Sequence, residues 1–250
     1  MKYIPEKEER KPDLHGLRKA VRMLDYLTDR ILLLFCLTVF LLGFYALYDS
    51  YLVYLDASDT DVLRFRPGTE ADSDTDQEIT GHMAAWLTLS DSSIDCPVMQ
   101  GEDNSEYLSK NPFGEYSLSG SIFLDFRNAP DFTDDYSLIY GHHMEHGRMF
   151  GALDDWLDSD YCDMHRMGEL IVDETSYSLT VFAVVEAEAT EEALFAPTEV
   201  SRDLTLSFIR THARILYEED IPTETDRIVA LSTCKFPDTT ERTIILCRIR

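Results

Sequence analysis

The chain has 250 residues, 44% of them hydrophobic, and a formal net charge of −25 from 47 acidic and 22 basic residues. That length buries one substantial core and leaves little room for two full domains. So large an acidic excess repels polyanions and excludes nucleic acid as a natural partner; its plainest meaning is a well-solvated surface.

Residues 1–30 hold eight basic residues, Lys2, Lys7, Arg10, Lys11, Arg18, Lys19, Arg22 and Arg30. Eighteen uncharged residues follow at 31–48, mostly Leu, Phe, Val and Ile, and a second apolar patch at 51–55 extends them. This length crosses a hydrocarbon core as a helix. A cleaved signal peptide would have a shorter apolar region and a small-x-small site, and 45–50 has only weak small-residue pairs; a buried core helix is the other alternative. The sequence therefore predicts a transmembrane anchor at 31–55 behind a basic cytoplasmic segment at 1–30, with the rest of the chain exported. The exported part carries 41 acidic and 14 basic residues, a net charge of about −27. No second apolar span is expected after it.

Residues 56–77 are acidic, with Pro67-Gly68 and an Asp72-Ser-Asp-Thr-Asp76 run, and read as a juxtamembrane segment or short helix followed by a solvated linker. The compact domain is expected to start near Glu78 and run to 250. Within it, short apolar runs at 83–89, 94–100, 121–126, 137–140, 169–173, 176–187, 227–233 and 242–249 are separated by Gly, Pro, Asn and Asp. They predict a mostly β barrel or sandwich. Two helical stretches interrupt them, 149–157 and 200–217, the second with Leu204, Phe208, Ile209 and Ile215 near one face.

The five cysteines are Cys36, Cys96, Cys162, Cys234 and Cys247. Cys36 falls in the anchor, and no spacing suggests a metal site or a dense disulfide framework, so the domain is not expected to depend on disulfides. Cys234 closes the predicted strand Arg227-Ile-Val-Ala-Leu-Ser-Thr, and a turn with Pro237 and Asp238 leads back into Arg242-Thr-Ile-Ile-Leu. Antiparallel pairing brings Cys234 and Arg242 together at one end of the sheet. A thiol is only about 3% thiolate at neutral pH and needs a nearby cation. His142, in Tyr140-Gly-His-His-Met144, can supply that charge and carry a proton; Arg242 can only be a fixed donor. Taken singly, Cys234 also reads as a small buried hydrophobe and His142 as a loop residue. His142, His143 and His146 are bracketed by Gly141 and Gly147, which argues for a loop over a metal-binding helix face, and no metal or other cofactor is expected.

With these motifs the region from about Thr80 to Arg250 resembles the sortase family, class B most closely. The family's Thr-Leu-x-Thr-Cys corresponds to Ala230-Leu231-Ser232-Thr233-Cys234, its Arg to Arg242, and its Tyr-Gly-His block to Tyr140-Gly141-His142. Further class B-like blocks are 98–108, 132–136 and 149–153. The resemblance implies an eight-stranded sortase-type barrel with inserted helices, and a cysteine transpeptidase on the outer face of a Gram-positive-type membrane. Its partners would be surface proteins or pilins bearing an Asn-Pro-x-Thr-x or Leu-Pro-x-Thr-Gly signal, and an amine of a peptidoglycan precursor or a pilin. It implies Cys234 as nucleophile, His142 as acid and base, and Arg242 as oxyanion donor. Asn104, Leu108, Tyr140, Ser232 and Thr233 would line the peptide site. A non-catalytic anchored binding module and a plain cysteine protease or L,D-transpeptidase are the alternatives. Two departures stand out: Ala230 replaces the family's first Thr, and the Cys-to-Arg loop has only seven residues.

Overall fold

A computed structural model describes residues 14–56, 60–68, 78–234 and 240–250. The basic residues Lys2, Lys7, Arg10 and Lys11, the acidic run at 72–76, and Pro237 and Asp238 lie outside the described residues. The chain divides into two compact units, Met1–Leu52 and Val53–Arg250.

The first unit is built on helix α1 (Leu14–Asp56), which begins well before the apolar run. A helix of 43 residues is about 65 Å long, twice what a bilayer core needs. Between Ile31 and Tyr48 its Leu, Phe, Ile and Val side chains are exposed on every side, the pattern of a helix made for an apolar solvent. The hydroxyls of Thr28 and Thr38 donate to the carbonyls of Leu24 and Leu34, which satisfies polar groups without water. Among the described residues it is the one helix long and apolar enough to cross a membrane, over His15–Leu52.

In the second unit, strands β1 (Met83–Leu89), β2 (Asp95–Met99), β3 (Ile122–Leu124) and β4 (Tyr136–Gly141) are followed by a small hairpin, β5 (His143–Met144) and β6 (Arg148–Met149). Then come β7 (Met167–Val172), β8 (Thr175–Glu188), β9 (Ala213–Leu216), β10 (Arg227–Cys234) and β11 (Glu241–Ile249). The order β11-β10-β4-β3-β2-β1-β7-β8, with β8 pairing back onto β11, closes an eight-stranded barrel. The pairs β2/β3 and β4/β10 are parallel and the other barrel pairs antiparallel. Helices α2 (Ser159–Met164), α3 (Glu192–Phe195) and α4 (Arg202–His212) complete the unit.

The barrel interior holds Leu87, Val98, Leu124, Ile139, Leu170, Val181, Val229, Leu231, Ile245 and Cys247. Alternate residues of the same strands, Leu138, Ala183, Val185, Ile228, Ala230, Ile244 and Leu246, form a second core outside the barrel with Leu194 of α3 and Leu206 and Ile209 of α4. Strands β4, β8, β10 and β11 are thus covered on both faces, which is why they read as unbroken apolar runs. Each such side chain removed from water is worth roughly 1.5–3 kcal/mol. Ala230 lies in the outer core and is wholly buried, so the missing hydroxyl at this position is a matter of packing.

Two elements differ from the sequence expectation. The helix expected at 200–217 stops at His212, and 213–216 pairs with β8 instead, Val184 facing Ile215. Strand β7 covers β8 only as far as Thr180, and the backbone groups beyond it need partners, which outweighs the helical period. The buried face of α4 is accordingly Thr205, Leu206 and Ile209, while Leu204 is exposed. The stretch read as a helix at 149–157 is a 3-10 helix, Phe150–Leu157, whose Phe150, Leu153 and Trp156 seal one end of the interior core. In the stretch read as a juxtamembrane segment or short helix before a linker, the short helix is a 3-10 turn, Thr60–Phe65. After it, Arg66 pairs with Asp95 at 3.0 Å and Glu169 at 3.4 Å, joining this segment to β2 and β7.

Candidate active site

The pairing scheme brings three of the expected residues to one end of the barrel. Cys234 is directly opposite Arg242 in the β10/β11 ladder. On its other side β10 runs parallel to β4, with Ser232 beside Tyr140 and Thr233 beside Gly141. One position further along each chain come Cys234, the last residue of β10, and His142, the residue after β4. Alternation puts Tyr140, Ser232, Ile244 and Ala230 on the outer face. Arg242, two residues before Ile244 on β11, continues the outer row.

The His142 imidazole contacts the carbonyl of Leu108 at 2.8 Å through Nε2. A carbonyl only accepts, so the proton is on Nε2 and Nδ1 is left to exchange protons. The backbone is held as firmly, because the Phe150 N–H donates to the His142 carbonyl at 3.0 Å. From the inner side, Asp154 accepts from His143 Nε2 at 2.8 Å and from Thr243 Oγ1 at 3.3 Å. One carboxylate therefore joins the neighbour of His142 to the neighbour of Arg242.

Sequence comparison gives this arrangement its relatives. Residues 87–250 match the Sortase domain. The chain belongs to the sortase family. It is 35% identical over 161 residues to Sortase B of Listeria monocytogenes, covering 63% of this chain and 65% of that protein. Against Sortase B of Staphylococcus aureus it is 30% identical over 176 residues, covering 69% of this chain and 72% of the relative. A solved class B sortase of Streptococcus pyogenes, involved in pilus biogenesis, superposes with a TM-score of 0.64 at 37% identity, covering 69% of this chain and 94% of that one. Sortases are cysteine transpeptidases, and the eight-stranded barrel expected from the resemblance is the one found.

The five residues expected to line the peptide site of this sortase are differently situated. Tyr140 is half-buried on the outer face, its ring 5.5 Å from that of Phe123, and its hydroxyl donates to Asp125 at 3.1 Å. Asn104, in the connection between β2 and β3, donates to the same carboxylate at 2.9 Å. Ser232 is buried, and its Oγ has no hydrogen-bond partner among the described residues. Leu108 is exposed and meets His142 only through its carbonyl. Thr233 is buried opposite Thr243, on the inner face with Leu231 and Val229, so only its backbone can face the outer side.

Sequence reasoning missed Asp125, Arg127, Asp154 and Thr243. Asp125-x-Arg127 after a short apolar run was the available signal. The remaining thiols of the sortase domain are poor nucleophiles. Burial and then Asp95 push Cys96 up to about 12; burial and then Cys162 push Cys247 up to about 12. Burial raises Cys162 as well. All three are free cysteines. A cavity of about 410 Å³ opens at the same end of the barrel, lined by Leu63, Ile94, Cys96, Phe113, Arg148 and Phe150 among others. Among the described residues, His142 and Arg242 are not part of its lining.

Proposed function

We propose that this sortase is a membrane-anchored, class B-like cysteine transpeptidase. It cleaves a C-terminal sorting signal of exported proteins after Thr and transfers the acyl group to an amine. The observation that carries the reading is the register: Cys234 is paired with Arg242 on one side, and its neighbour Thr233 is paired on the other with Gly141, the residue before His142. The Cys234 thiolate attacks the Thr carbonyl carbon, forming a C–S bond and an oxyanion that Arg242 holds by hydrogen bonds. His142 Nδ1 takes the Cys234 thiol proton at the outset and, as the C–N bond breaks, gives it to the leaving amine. An incoming amine then attacks the thioester, His142 takes its proton, and the thiolate leaves. Asn104, Tyr140, Ser232, Leu108 and the Thr233 backbone line the peptide's path. The unpartnered Ser232 hydroxyl supports that role, since a buried hydroxyl without a partner gains from a bound peptide.

By the positive-inside rule the N-terminus is cytoplasmic, α1 spans the membrane once, and the barrel is outside. The acceptor is an amine of a peptidoglycan precursor or a pilin; the Streptococcus pyogenes relative acts in pilus biogenesis.

The test uses the full-length chain in detergent with quenched peptides carrying Asn-Pro-x-Thr-x or Leu-Pro-x-Thr-Gly, with and without triglycine or lysine. Cleavage and an amine-dependent product are expected. Cys234→Ala should abolish both and His142→Ala nearly so. Arg242→Lys should lose on the order of a hundredfold in kcat, because a point charge cannot replace the planar fork. A Cys234 inert to a methanethiosulfonate reagent, with no peptide cleaved, would sink the enzyme reading. Cleavage that no amine ever intercepts would leave a plain protease.

A further inference from the structure

Building on the transpeptidase reading, on which it rests, we propose that Asp125 is a positioning residue of the peptide site. Its buried carboxylate orients Asn104 and Tyr140 toward the sorting signal. The Asp125 side chain is 0% exposed, and among the described residues five donors converge on it. Oδ1 accepts from the Arg127 backbone N–H and from Arg127 Nε, both at 2.9 Å. Oδ2 accepts from Arg127 Nη2 at 2.9 Å, Asn104 Nδ2 at 2.9 Å and the Tyr140 hydroxyl at 3.1 Å.

A carboxylate so surrounded only accepts, so it dictates the proton of every neighbour. The Tyr140 proton points at Asp125, which leaves the phenol oxygen as an acceptor. The Asn104 amide is fixed at both ends, since its Oδ1 accepts the Phe126 N–H at 3.0 Å while Nδ2 faces Asp125. One N–H of Asn104 is left over. The pair thus presents one donor and one acceptor, the complement of an extended peptide's C=O and N–H. Tyr140 adjoins Ser232 in register and lies two residues before His142, so a peptide held there runs toward Cys234. Arg127 anchors the group from the far side, donating to the Phe195 carbonyl at 2.7 Å and pairing with Glu199 at 3.5 Å. A buried ion pair of this kind adds little net stability; it fixes direction.

The experiment is a kinetic comparison of full-length wild type, Asp125→Asn, Asn104→Ala, Tyr140→Phe and the double variants on one sorting peptide. Asp125→Asn should raise KM about tenfold while kcat falls less than threefold, the pattern of lost uniform binding. Cys234 should react with a methanethiosulfonate reagent at the wild-type rate. Asn104→Ala and Tyr140→Phe should each raise KM alone, yet add less than about twofold on top of Asp125→Asn. An unmoved KM in Asp125→Asn, or effects that multiply in full, would overturn the inference alone. If Asp125→Asn does not fold, the two partner variants decide: raised KM at unchanged melting temperature supports the inference, and unchanged KM in both overturns it. A wild type that cleaves no Thr-containing peptide overturns the transpeptidase reading and this inference with it.

Discussion

A Cβ at Gly141 would lie 2.4 Å from Ile122 Cδ1 and 2.7 Å from the Phe150 ring. The chain can carry His142 out of β4 only because nothing projects there, and Phe150 fills the space. We expect Gly141→Ala to cost about 1–3 kcal/mol, as overpacking does, and to lower peptide cleavage more than tenfold. A thermal melt and the peptide assay on the same sample check both. Asp226 reports on acid sensitivity. Burial acts to raise its pKa, but hydrogen bonds from Arg250 and from the Thr223 N–H and hydroxyl hold it down to about 2. A carboxyl depressed in the folded state stabilises above its unfolded value near 3.9 and loses that contribution as pH falls toward 2. Urea midpoints measured between pH 6 and pH 2 should therefore fall more steeply in wild type than in Asp226→Asn.

The β7/β8 hairpin turns through two residues, Asp173 and Glu174, between the paired Val172 and Thr175. Asp173 has φ +52°, the left-handed region at the first turn position that glycine normally fills in such hairpins. Asp173→Gly should raise stability on the order of 0.5–1 kcal/mol with cleavage unchanged, read from denaturant midpoints. In the sequence Asp173 read as the end of the run 169–173 and not as this turn, whereas β10 and β11 were legible: their β-branched runs and intervening turn implied the Cys234–Arg242 pairing before any coordinates. Strand β9 was not, because Ala213-Arg-Ile-Leu216 continues an apolar helical period and only the uncovered edge of β8 makes it a strand. Nor was the Asp125 cluster, whose members come from the β2–β3 connection, the end of β3, and β4. Asp125-x-Arg127 was the one local hint, and by itself it does not distinguish a buried carboxylate from a turn aspartate. The Thr233 expectation met a different limit: a motif names a position, and the period of two decides which face its side chain takes.

The charge of −25 spreads over a molecule whose two units are of opposite kind, one a helix with apolar residues outward, the other a barrel with two apolar layers inward. Among the described residues the closed circuit leaves no free strand edge except at β9 and the short hairpin, which keeps so many β-branched runs from pairing between chains. The parallel contact between β4 and β10 joins residues that are far apart in the sequence, with 142–226 forming the crossover between them. A contact of that span is slow to form, because the long loop must close before the pairing rewards it. The intervening strands and helices all lie within the loop that this pairing closes. Cys234 therefore spends the chain's unfolded life without His142 beside it. On the proposed transpeptidase reading, the thiol gains its proton carrier only with the closing of the barrel.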